Sequence, residues 1–331
     1  MDFNYKIKYL KYKAKYFKLL EQNGNGQVNS ANKPNTVVPV NSLLVTHNGR
    51  IRCLLDLIKM SAIDEITKKE VRFMNCCILL LSIEKSGFTL SLKYEGELAD
   101  ESIKKAKKEG RKYYSTENNN DIYIKFLEKK SSDLSLLQLK PEDIDDKTYN
   151  FYIIRHGDGV HNSMSAFQKA TSSSVTDAEL TLGGIRQAEK ANKFLSSIQI
   201  QIQIHNLYTS DLKRTRQTLG KLIEGNKSIQ AKEVVVLPCA HELDYVQGKS
   251  CDAYQGVKSA LSYENKPICS ADKSTCNLSD VCCQVNGLPI NWSFYRAFYG
   301  QGTRMAHGTG AKSCRDTNMI KQAFEHMVSI K

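Results

Sequence analysis

Phe151-Tyr152-Ile153-Ile154-Arg155-His156-Gly157 is the stretch on which the fold turns, a fully apolar strand that ends in a cation, an imidazole and a glycine. Upstream, Ser42 to Thr46 is a short β-prone run and Ile51 to Met60 has helical spacing. Cys77 to Ile83 and Gly87 to Lys93 read as two strands joined by a turn. Residues 100 to 120 lose the apolar pattern and read as a surface helix and loop. Downstream come a helix over Gly184 to Leu195, a strand over Ile204 to Thr209, a helix over Leu212 to Ile223, a strand over Val234 to Leu237 and a helix over Asn318 to Ile330. Strands that alternate with helices predict an α/β fold: three layers, with a mostly parallel, doubly wound sheet and helices on both faces.

Ligands of such sheets bind beyond the carboxyl ends of the strands, so the residues that follow each strand carry the functional reading. Arg155, His156 and Gly157 follow the strand at 151–154, with Asn162 six residues past the histidine. His47, Asn48, Gly49 and then Arg52 follow Thr46. Ser210 and Asp211 follow Thr209, with Arg214 on the first turn of the next helix; His241 and Glu242 follow Leu237. Arginine forks match phosphate oxygens bidentately and stay charged, which points to a phosphate pocket. An imidazole among such cations is held neutral and is then a nucleophile, so a phosphohistidine intermediate follows. Departure of an alkoxide needs a proton, which a carboxylic acid such as Glu242 can supply.

Taken together, Arg155-His156-Gly157 with Asn162, Leu180-Thr181-x-x-Gly184-x-x-Gln187-Ala188, Tyr208-x-Ser210-x-x-x-Arg214-x-x-x-Thr218 and Glu242 after a strand form a specific set. The sequence resembles the histidine phosphatase superfamily, the phosphoglycerate mutase-like group, and its first branch more closely than its acid-phosphatase branch. The resemblance implies that His156 takes the phosphoryl group among Arg155, Arg214 and His47, that Glu242 protonates the leaving group and then activates water, and that Asn162 adds a phosphate or orienting contact. No metal or other cofactor is implied. One departure stands out: the family's second histidine module lies near the carboxyl end, whereas here Leu43 to Arg52, followed by Asn75-Cys76-Cys77-Ile78, stands first. The chain is therefore expected to be circularly permuted. His307-Gly308-Thr309-Gly310 is a competing second histidine, but no hydrophobic strand precedes it. Asn48 also stands where the family usually has Gly.

Composition sets the outer limits. The chain has 331 residues, a formal net charge of +12 and 41% hydrophobic residues, an ordinary globular balance that excludes collagen-like and wholly disordered chains. Its longest apolar run, Cys76 to Leu81, is too short to span a membrane, so no transmembrane segment and a cytoplasmic location are expected. Ten cysteines without paired C-x-x-C clips argue for a cysteine-rich insertion and not for a zinc site. Residues 1–30 hold six lysines against Asp2 and Glu21. Tyr5, Tyr9, Tyr12, Tyr16, Leu19 and Leu20 recur at helical spacing, which predicts a basic amphipathic helix over 1–22 and a linker over 23–38. That helix is similar to the Lys/Tyr-rich amino-terminal helix of many giant DNA virus proteins of the mimivirus kind, and its charge suits docking to an anionic surface or a protein. Residues 39–331 form one domain, with 94–148 as the connector across the old ends and 250–317 as an insertion over the site. The expected activity is a metal-independent phosphomonoesterase acting on a phosphorylated small molecule or phosphoprotein; a phosphomutase and a non-catalytic binder of a phosphorylated partner are the alternatives. No specific nucleic-acid recognition is expected.

Overall fold

A computed structural model describes residues 39–66, 68–117, 122–163, 178–198, 202–242, 284–292 and 318–329. The helix at 1–22, the linker at 23–38, His307 and most of the 250–317 insertion lie outside the described residues. Helices α1 (Asn48–Leu57), α2 (Asp100–Glu109), α3 (Leu182–Ile198), α4 (Lys213–Ile223) and α5 (Met319–Ser329) surround twelve strands. These are β1 (Val40–Thr46), β2 (Val71–Arg72), β3 (Ile78–Glu84), β4 (Gly87–Tyr94), β5 (Lys112–Ser115), β6 (Tyr123–Lys125), β7 (Lys129–Ser131), β8 (Tyr149–Arg155), β9 (Ile204–Thr209), β10 (Val234–Val236), β11 (Gln284–Val285) and β12 (Leu288–Asn291).

Nine of the described strands form one sheet in the order β11-β12-β10-β9-β1-β8-β3-β4-β7. The run from β12 to β8 is parallel throughout. Strand β1, earliest of the described strands, is inserted at its middle. Leu44 of β1 pairs with Ile153 on one side and Tyr208 on the other. Successive side chains of a strand alternate between faces, and both faces here are apolar. Leu44, Phe151 and Ile153 pack with Ile51, Leu54 and Leu55 of α1 and with Ile320, Ala323 and Phe324 of α5. Leu43, Val45, Tyr152 and Ile154 pack with Ala188, Ala191 and Leu195 of α3 and with Leu219 and Leu222 of α4. The three layers follow directly from this alternation.

The sheet is mixed, which corrects the expectation of a mostly parallel one. Strand β3 runs antiparallel to β8 and β4, and β4 runs antiparallel to β7. The cause is local: only Lys85 and Ser86 separate β3 from β4, and so short a connection can join only antiparallel strands. Residues 112–115, expected in a loop, form β5, which lies between β2 and β6 in a second, three-stranded parallel sheet. Buried Tyr113 shares a small core with Met74, Ala106 and Ile122, so tertiary packing organises a stretch with no periodic signal of its own.

Candidate active site

Because β1, β8, β9 and β10 are parallel and nearly in register, their carboxyl ends share one edge. Backbone bonds carry that alignment past the strands: His156 N–H donates to Thr46 O (3.0 Å), Ser210 N–H to Val45 O (3.3 Å) and Leu237 N–H to Thr209 O (2.9 Å). His47, His156, Ser210, Arg214 and Glu242 are thereby drawn from segments far apart in the chain.

His156 is buried, and its Nδ1 lies 2.7 Å from Gly157 O, an acceptor, so Nδ1 carries the proton. Its Nε2 accepts a hydrogen bond from Arg214 Nε at 3.2 Å. Both contacts select the same tautomer, with an unprotonated Nε2. The Arg214 guanidinium is wholly buried and also donates from Nη2 to His47 Nδ1 at 3.3 Å. An arginine only donates, so His47 Nδ1 is an acceptor and His47 Nε2–H points to Ser210 Oγ, 2.8 Å away. The two imidazoles meet edge-on, with centroids 4.9 Å apart. Burial, followed by the charges of Arg214, His156, His241 and Arg50, holds the His47 pKa well below 6.5. His47 is therefore neutral at pH 7.

Glu242 brings Oε2 to 3.5 Å from His47 Nδ1. It is placed by the one-turn helix Pro238–Ala240, whose Ala240 carbonyl accepts from Thr46 Oγ1 (2.8 Å). Next to it, His241 Nδ1 lies 2.6 Å from buried Asp211 Oδ1. His47, His156 and Glu242 present ligand atoms within 4.8 Å of one another, a spacing that also suits a metal ion. Arg214 argues for an anion instead, since its buried cation already occupies a lone pair on each imidazole.

The remaining motif residues build the floor beneath these groups. Gly157 N–H donates to Thr218 Oγ1 (3.0 Å), which in turn donates to Arg214 O (2.7 Å), tying the His156 loop to α4. Asp158 N–H donates to Gln187 Oε1 (2.8 Å). Thr181 Oγ1 accepts from Gly184 N–H (2.9 Å) at the start of α3. A Cβ on Gly184 would stand 2.1 Å from Asp158 O, and one on Gly157 would stand 2.5 Å from Gly184 O, so only glycines allow the loop to lie on the helix.

Three expected residues are placed differently from the central cluster. Arg155 donates from Nη1 to Phe73 O at the rim of the site. Asn162 is exposed and donates to Asp158 Oδ1 (2.7 Å). Arg52 pairs with Glu70 at 2.8 Å. Arg50 takes the place expected of Arg52: it is buried, acts on His47 and donates to His241 O. The signal was spacing, because three residues beyond His47 lies on the same helix face and five residues does not.

A family model for the histidine phosphatase superfamily (branch 1) matches residues 151–253. The matched stretch contains His156, Arg214 and Glu242, whereas His47 lies outside it. No curated protein and no solved structure matches the chain.

Proposed function

We propose that this protein is a metal-independent phosphomonoesterase that works through a phosphohistidine on His156. The observation that carries the reading is the paired contact of Arg214, which leaves His156 Nε2 unprotonated and places a fixed positive charge where phosphate oxygens would sit. As the phosphate enters, Arg214 Nε transfers its hydrogen bond from His156 Nε2 to a phosphate oxygen; the freed Nε2 lone pair attacks phosphorus in line with the ester oxygen as the P–O bond breaks, and Glu242 gives its proton to the departing alkoxide. The resulting carboxylate then takes a proton from water as it attacks phosphorus, the P–N bond breaks, and phosphate leaves. Arg214 and Arg50 hold the equatorial oxygens throughout, while His47, whose one N–H is given to Ser210, positions the Arg214 guanidinium, so charge that develops in the transition state meets preorganised donors. Arg155 and Asn162 act at the rim of the pocket.

The His47 module supplies, from the amino-terminal side of the chain, the second histidine of a circularly permuted arrangement, and β1 between β8 and β9 supports that reading. A phosphomutase would use the same pocket and return the phosphoryl group to the substrate. No helix among the described residues is long and apolar enough to cross a membrane, and we place the activity in the cytoplasm. Incubation with a phosphomonoester followed by denaturation in alkali tests the mechanism: an acid-labile, alkali-stable phosphate is expected on His156 and absent from His156→Ala. Undiminished turnover by His156→Ala would sink it, and product phosphoester in place of free phosphate would identify a mutase.

A further inference from the structure

Beside the pocket lies a second concentration of positive charge that the reaction does not use. Arg72 ends β2, and Phe73, the next residue, is fixed to the site twice: its N–H donates to Asn48 Oδ1 (3.0 Å), and its carbonyl accepts from Arg155. Asn48 and Arg155 each adjoin a pocket histidine in sequence. Arg72 pairs in register with Tyr113 of β5, and Arg111 leads into the same strand. Burial and then the charges of Arg111 and Arg155 lower the proton affinity of Arg72, against smaller opposing effects of Tyr113 and Glu70.

Carboxylates offset part of that charge: Glu70 is shared by two arginines and Glu109 serves one. Glu70 Oε2 is 3.9 Å from Arg72, and the same oxygen is 2.8 Å from Arg52. Arg111 pairs with Glu109. Arg155 Nε is buried with no acceptor among the described residues. Like charges held together are destabilising until an anion joins them. The side chains of Arg72 and Arg111 remain 38% and 31% exposed, within reach of a ligand.

We propose that Arg72 and Arg111, with Arg155 as the bridge to the His156 pocket, form a second anion subsite that selects small substrates carrying a second phosphate group. The proposal rests on the phosphoryl-transfer reading of the pocket. One phosphate lies against His156 and Arg214 and the other on Arg72 and Arg111. The subsite comes from the small β2-β5-β6 sheet, so specificity is built by an element separate from the catalytic floor.

The test compares short alkanediol bisphosphates with the matching alkyl monophosphates as substrates of the full chain. Wild type is expected to favour the bisphosphate by about tenfold in kcat/KM, the worth of a charge-assisted contact. Arg72→Gln and Arg111→Gln each shrink that preference, and Arg72→Lys, which keeps the charge, retains most of it. Equal use of both substrates by wild type, or a preference that survives in the double glutamine variant, overturns the subsite. A phosphopeptide turned over better than any bisphosphate overturns the small-molecule class. Calorimetric binding of the same compounds to His156→Ala separates the two readings. Tighter bisphosphate binding that is lost with Arg72→Gln upholds the subsite even if wild type shows no turnover, whereas turnover without such discrimination upholds the catalytic reading alone.

Discussion

Replacing Arg214 with methionine removes a buried cation and its hydrogen bonds to His156 Nε2 and His47 Nδ1. Loss of one preorganised donor costs about 10²–10³-fold in rate, and loss of a transition-state arginine in phosphoryl transfer costs about 10³–10⁵-fold. A fall of about 10⁴-fold in kcat/KM is expected, or about 5.4 kcal/mol at about 1.36 kcal/mol per factor of ten. Folding should lose about 2 kcal/mol, because methionine removes the desolvation penalty of a buried guanidinium but leaves His156 Nε2 and His47 Nδ1 buried without that donor. The variant should therefore still fold, with a lowered melting temperature, while inactive.

A pH signature accompanies this loss. His47 has a folded pKa below its unfolded 6.5, so its contribution to stability is complete above pH 6.5 and is lost as pH falls below that value. The slope is at most about 1.36 kcal/mol per pH unit for one proton. Arg214 is the largest cause of the lowering after burial, so Arg214→Met brings the folded and unfolded values closer and makes the acid-side loss shallower. Urea melts at several pH values, steady-state kinetics and near-ultraviolet circular dichroism check the three parts. A well-folded Arg214→Met that retains a tenth of the activity refutes the role given to the guanidinium, and an unfolded one refutes the energetic argument.

Other outcomes follow from the same geometry. Glu242→Gln should lower kcat by about 10²–10⁴-fold on alkyl phosphates, the usual worth of a general acid, and far less on p-nitrophenyl phosphate, whose leaving group needs no proton; equal losses on both would remove Glu242 from that role. Gly184→Ala places a Cβ against Asp158 O, so urea unfolding should report a loss of about 3 kcal/mol, the upper end of overpacking costs, along with reduced activity from a displaced His156 loop. Arg50→Ala should depress kcat/KM on monophosphates more than Arg52→Ala does, because Arg50 acts on His47 while Arg52 is held by Glu70; the reverse order in steady-state kinetics would restore Arg52 to the pocket.

The sequence alone determined the strand and helix sites that build the layers. Phe151 to Ile154, Ile204 to Thr209 and Leu212 to Ile223 are apolar or amphipathic runs whose burial needs no distant partner to be anticipated. It also pointed to His156, His47, Arg214 and Glu242, because residues that follow parallel strands converge on one edge. Asn286-Gly287 between Val285 and Leu288 is a hairpin signal in the sequence, and it forms the hairpin of β11 and β12, with β12 added beside β10.

Only the tertiary structure decided how those pieces meet. Strand β1 enters between β8 and β9, a pairing that local pattern does not encode because an apolar strand fits either neighbour equally well. Which arginine faces the imidazoles depended on helix phase and on a carboxylate just before β2, Glu70, that claims Arg52. The tautomers of His47 and His156 depended on an arginine and a backbone carbonyl that fold against them. Residue types and their order supply the chemistry, but protonation and charge balance are set by groups brought within a few ångströms of one another, and that proximity exists only in the folded chain.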